Sequence, residues 1–233
     1  MVRVLAVADE VDEGLCADLG RARGAELILA CGDLPFDYLA YLMDGLDVPL
    51  VFVPGNHDPE LGGFRTSRAG LTLHAGLPEA APWPAGAINA DGRVVDVLGL
   101  RIAGLGGSPR YREGPNQYTQ REFRRRAWLL RMRAWLRCRD GHGVDVLLTH
   151  APPRGVGDAE DPPHQGFDAL HGLVARLRPP LMLHGHIHPY GEQTPDRVLD
   201  GTTVRNVVGR HLFDIPTPPG YTGSHASNRV PES

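Results

Sequence analysis

Short apolar runs that each stop against a polar, glycine-bearing cluster set the limits on how this chain can fold. Leu27–Ala30 leads into Gly32-Asp33, and Leu50–Val53 into Gly55-Asn56-His57-Asp58. Val144–Leu148 leads into Thr149-His150, and Leu181–Leu183 into Gly185-His186-Ile187-His188. Apolar, β-branched or leucine-rich runs this short, bounded by turn residues, read as buried strands. Ahead of them Val2–Ala8 reads as a further strand. Glu13–Arg23, closed by Gly24, and Pro35–Leu46 carry helical spacing. This β-α-β-α-β order calls for parallel strands joined by helical crossovers. Open α/β sheets bind ligands beyond their strand ends, so the polar clusters converge on one crevice.

Further along, Arg93–Val97 and Leu100–Leu105 flank Leu98-Gly99, a hairpin expected to open a second, more antiparallel sheet. Thr119-Gln120-Arg121-Glu122 is a capping box. Its helix runs to about Cys138 and buries Phe123, Ala127, Leu130 and Ala134. Phe167–Arg178 reads as another helix, and Thr203–Val208 and His211–Ile215 as closing strands. From Pro216 onward Pro, Gly, Ser and Asn dominate. The expected organisation is one domain over 1–215 with a disordered tail over 216–233.

A net charge of −4 gives no global field for nucleic acid or membrane. All 24 basic residues are arginine, which excludes a catalytic lysine. Three cysteines without CxxC spacing point to reduced thiols and a cytoplasmic location. No apolar run approaches the ~18 residues that span a bilayer.

The clusters carry a particular chemistry. Asp33 can bridge two cations, Asn56 offers a neutral hard oxygen, and His150, His186 and His188 offer imidazoles. Asn56 and His57 are adjacent, so their side chains diverge. His57, with Asp58 as its carboxylate partner, suits a general acid for a departing alkoxide. Arg110, Tyr111, Arg112 and Asn116 form an expected substrate rim that grips phosphate and stacks on a ring. The loop over 151–166 has the length of a functional lid. The arginines of the 121–139 helix read as a solvated outer face, or alternatively as a polyanion-binding one.

The order Asp9, Gly32-Asp33, Gly55-Asn56-His57-Asp58, His150, Gly185-His186-Ile187-His188 resembles the calcineurin-like metallophosphoesterase family. That resemblance implies a four-layer α/β/β/α sandwich with two mixed β-sheets. It implies two divalent or trivalent ions, the first matched to Asp9, Asp33 and His188. The second is matched to Asp33, Asn56, His150 and His186. It also implies hydrolysis by a metal-bound hydroxide, with His57 as general acid and Asp58 as its partner. One motif departs from the family: Asp-x-His is here Asp9-Glu10-Val11-Asp12. Valine binds no metal, and strand alternation sends Glu10 to the opposite side from Asp9. Asp12, folding back, is the expected replacement ligand; otherwise the first site is depleted. A more oxygen-rich first site favours Mn²⁺ or iron over Zn²⁺. The expected function is a phosphohydrolase for a small phosphodiester or nucleotide-like phosphomonoester, with no nucleic acid or membrane partner. The alternatives are a non-catalytic scaffold, or a nuclease using the arginine-rich helix.

Overall fold

The computed structural model describes residues 1–66, 72–189 and 194–217. β1 (Val2–Ala8), α1 (Glu13–Ala17), β2 (Leu27–Ala30), α2 (Phe36–Leu46) and β3 (Leu50–Phe52) alternate through the first quarter of the chain. β4 (Arg65–Thr66), β5 (Thr72–His74) and β6 (Leu77–Pro78) make a small antiparallel sheet, and β7 (Ile88–Asn89) follows. Next come the hairpin β8 (Val94–Val97) and β9 (Leu100–Leu105), the short pair β10 (Ser108–Pro109) and β11 (Gln117–Tyr118), and α3 (Gln120–Arg137). The chain continues through β12 (Val146–Thr149), α4 (Ala169–Leu177), β13 (Leu181–His184), β14 (Arg197–Leu199), β15 (Thr202–Asn206) and β16 (Gly209–Ile215).

Two sheets carry the fold. The first runs β16-β1-β2-β3-β7, with only the β16 edge antiparallel. The second runs β14-β15-β13-β12-β9-β8. Its three inner pairings are parallel and only its two edge pairings antiparallel, so the expected antiparallel character is confined to the rims. The strands here are apolar on both faces, as they must be when both faces are covered. Val4, Ala6, Leu29 and Val51 of the first sheet meet Ile102, Val146, Leu148 and Leu183 of the second. Leu5, Ile28 and Phe52 turn the other way, onto Leu15, Leu39 and Leu42 of α1 and α2. Ala103, Leu147 and Met182 pack against Phe123, Leu130, Leu170 and Val174 of α3 and α4. The result is the four-layer α/β/β/α sandwich with two mixed sheets.

α3 begins at Thr119 with the full capping box and buries Phe123, Ala127, Leu130 and Ala134. The first helix is shorter than its spacing predicts. α1 stops at Ala17 because the Asp18 carboxylate accepts from the Gly20 N–H and starts a separate 3-10 turn, Leu19–Ala22. Of the expected 216–233 tail, residues 218–233 lie outside the described residues, as does Leu71, first residue of the run Leu71–His74 that reads as a strand in the sequence.

Candidate metal centre

β1, β2, β12 and β13 end at the same edge of the sandwich. Each releases its next residues into a tight turn. Asp9 (φ +60°), Asp33 (φ +57°) and His186 (φ +69°) occupy the left-handed region, a conformation non-glycine residues adopt at a cost and that clusters at functional sites. The glycines of the motifs keep space for the acids. A Cβ on Gly55 would overlap the Asp33 carboxylate, and one on Gly185 would overlap that of Asp9.

Ligand atoms of Asp33, His150 and His186 lie within 4.8 Å of one another. His150 is fully buried, and its Nδ1–H donates to the Cys31 carbonyl at 2.7 Å. That bond fixes the tautomer, leaving Nε2 between Asn56 Oδ1 at 3.1 Å and Asp33 Oδ2 at 3.2 Å. A neutral Nε2 would face two oxygens, lone pair to lone pair; a cation at that point removes the conflict. A proton can serve as that cation: burial opposes charging His150, but Asp33 and Asp9 outweigh it and push the imidazole up to about 9. Burial would likewise raise Asp33, yet His150 and the His57 N–H (2.7 Å from Oδ1) hold its carboxyl below the usual range. The donor set and its electrostatics fit a metal ion.

His186 presents the complementary arrangement. Its Nε2–H donates to the Pro163 carbonyl at 2.7 Å, so Nδ1 carries the free lone pair. Burial first, and then His150, lower its pKa to about 3, so the imidazole stays neutral. Its backbone N–H donates to both Asp9 oxygens at 2.9 and 3.1 Å. Burial raises Asp9 to about 6 against the pull of His150 and that N–H. His188 lies beside Glu10, with Nδ1 to Oε1 at 2.9 Å.

Asp12 and Asp58 both have protein partners. Asp12 is committed elsewhere: Oδ1 caps α1 at the Leu15 N–H (2.8 Å) and Oδ2 pairs with Arg210 (2.9 Å). Both Asp12 oxygens are thus engaged by the chain itself. Asp58 Oδ2 accepts from the backbone N–H groups of Gly55 (2.7 Å) and Asp33 (3.0 Å). Asp58 thereby ties two loops together, and among the described residues no hydrogen bond or ion pair joins it to the exposed His57 ring.

The expected rim divides in the same way. The Tyr111 hydroxyl reaches Asn56 Nδ2 at 3.5 Å, with Arg112 beside its ring. Arg110 instead pairs with Glu122 at 3.0 Å and lines a separate cavity of about 1140 Å³ with Glu60, Asn89 and Arg126. Asn116 is buried, and its Nδ2 donates to the carbonyls of Gly55, Asp58 and Pro59. It holds the Gly55–Asp58 turn from outside. Sequence reasoning missed Glu10, Pro163 and His164, whose ring lies 5.5 Å from that of His186. A His164 within the long loop after His150 was the signal available.

A family model, described as calcineurin-like phosphoesterase, matches residues 5–190. The chain belongs to the calcineurin-like phosphoesterase family. Membership supports metal-dependent phosphoester hydrolysis as its general chemistry. The UPF0046 protein C25E10.12 of Caenorhabditis elegans is 31% identical over 97 residues, covering 34% of this phosphoesterase and 33% of that protein. The chain thus spans about one third of the curated relative it matches. The crystal structure of TT1561 of Thermus thermophilus superposes with a TM-score of 0.51 at 18% identity, covering 87% of each chain. Another crystal structure covers 92% of this chain and 99% of its own, with a TM-score of 0.58 and 15% identity. At such identities the two structures speak for the fold alone. No helix among the described residues is long and apolar enough to cross a membrane.

Proposed function

We propose that the chain is a dinuclear phosphohydrolase acting on a small phosphodiester or a nucleotide-like phosphomonoester. The observation that carries this reading is His150 Nε2 set between Asp33 Oδ2 and Asn56 Oδ1, with His186 closing the group. In this reading Asp33, Asn56, His150 and His186 hold one ion. Asp9 and His188 share Asp33 around the other, and Mn²⁺ or iron is preferred to Zn²⁺ for its oxygen-rich surroundings. When bound, the ions supply Lewis acidity toward a phosphoryl oxygen and lower the pKa of water. The chain supplies the rest. His57 stands exposed at the rim, anchored by its N–H on Asp33 Oδ1, where its imidazole protonates the leaving alkoxide. Tyr111 and Arg112 flank the entrance and receive the organic part of the ester.

Three arginines of α3 are tethers: Arg126 grips Asp91, Arg133 the Gly92 carbonyl and Arg137 Asp96. This weighs against a continuous nucleic-acid stripe and against the nuclease reading. The three cysteines are unpaired, which supports a reducing, cytoplasmic setting. The test is hydrolysis of bis-p-nitrophenyl and p-nitrophenyl phosphate by the metal-stripped protein with Mn²⁺ or Fe²⁺ added back. Metal-dependent turnover that Asp33→Ala abolishes is expected. No turnover of either ester with either ion would overturn the reading in favour of a scaffold.

A further inference from the structure

Val11 leaves the first ion one ligand short, and strand alternation points away from the residue that fills the gap. β1 ends at Ala8. Asp9 then enters the left-handed region, and the Glu10 N–H turns back onto the Ala8 carbonyl at 2.6 Å. Alternation does not survive such a turn. Glu10 Oε1 comes to rest 2.9 Å from His188 Nδ1, bringing together residues 178 positions apart in sequence. Val11 is 43% exposed, and both oxygens of Asp12 are engaged by Leu15 and Arg210.

We propose that Glu10 takes the place of the missing histidine as a ligand of the first ion, alongside Asp9, Asp33 and His188. The inference rests on the dinuclear reading above. As a folding contact the Glu10–His188 pair has little to offer, because both side chains are more than a third exposed and such pairs contribute little to stability. As a ligand it changes the character of the site. Three carboxylates and one imidazole make a harder, more anionic nest than the family's motif supplies, one that selects Mn²⁺ or Fe²⁺ over Zn²⁺. The carboxylate-for-imidazole exchange also gives the site enough negative charge to balance a divalent ion without a fifth protein group.

The experiment is Mn²⁺ titration of the metal-stripped full chain by calorimetry, with paramagnetic resonance to detect the spin-coupled ion pair. Wild type, Glu10→Ala and Glu10→Gln are compared. Wild type should bind two ions. Both variants should keep the ion held by Asn56, His150 and His186, and lose at least about ten-fold affinity for the other, together with the coupled signal. The glutamine variant is decisive, because its amide oxygen still accepts the His188 N–H while lacking the charge. If Glu10→Gln retains wild-type affinity for both ions, Glu10 only orients His188 and the inference is overturned. Two ions in wild type with neither variant changed overturns the inference alone. Fewer than two ions in wild type overturns the dinuclear reading as well. Metal-free melting temperatures should coincide for all three proteins, which separates ligand loss from unfolding.

Discussion

Among the described residues Asn116 makes no side-chain hydrogen bond to the side chain of a candidate ligand, yet it braces the turn that presents one of them. Its amide donates to three carbonyls of the Gly55–Pro59 turn, and its φ of +52° is one that asparagine tolerates better than most residues. Asn116→Ala leaves those buried carbonyls short of donors and should cost about 1–3 kcal/mol of stability. Mn²⁺ affinity should fall with it, because Asn56 sits in the same turn; equal melting and equal affinity would contradict this. Asp58 poses a sharper question. Asp58→Asn keeps an oxygen for the Gly55 and Asp33 N–H groups, so a tie between loops predicts a modest loss of melting temperature with kcat near wild type. A large fall in kcat without destabilisation would restore Asp58 as the partner of His57. For His57 itself, alanine should lower kcat by about 10²–10⁴ on an ester with a poor alcohol leaving group. With p-nitrophenolate, which leaves without help, the effect should be far smaller.

At the scale of elements, the hairpin β8–β9 is locked to the end of α3 through one buried arginine. Arg101 pairs with Asp96 and Asp140 at 2.8 Å each and also donates to the His142 carbonyl. Burial works to raise Asp96, but Arg101 and Arg137 hold its carboxyl below the usual range; Asp140 is held down chiefly by its Arg101 hydrogen bond. A depressed folded pKa gives stability that is present above the unfolded value of about 3.9 and is lost as pH falls through the folded one. Melting temperature should therefore drop as the pH is lowered from about 5 to about 2, and less steeply in Asp96→Asn. Parallel drops in both proteins would exclude the network as the cause. Half of this lock follows from the predicted hairpin, whose Leu98-Gly99 turn sets Asp96 opposite Arg101, but Asp140 comes from a distant segment with no pattern to place it. The strands were legible because four or five apolar residues in a row, covered on both faces, admit few other structures. The candidate ligands were legible because they follow those strands immediately. The place of Glu10 beside His188 was not, because one left-handed residue cancels the alternation used to place it. The partners of Arg110 and Asn116, Glu122 and the Gly55–Pro59 carbonyls, were not legible because they come from segments 12 to 61 residues away.

For the whole molecule, the division of the candidate ligands matters most. Asp9, Asp33 and Asn56 follow strands of the first sheet, and His150, His186 and His188 follow strands of the second. Away from that edge the sheets meet through apolar packing: Val51, Ile102, Leu148 and their neighbours. Leu148→Ala in that layer should cost about 2–5 kcal/mol. Saturating Mn²⁺ should recover part of it, since an ion at 100 times its Kd adds about 2.7 kcal/mol to the folded state. A melting temperature indifferent to Mn²⁺ and to chelator would argue against any ion at the seam. An ion there would act as a rivet through two plates, added to the hydrogen bonds that already join them at that edge, His150 to the Cys31 carbonyl and the His186 N–H to Asp9. Its removal should loosen the plates at that edge. Amide exchange after chelation should then quicken together at Gly32, Gly55, Gly185 and His186, which come from different halves of the chain and all border the rivet.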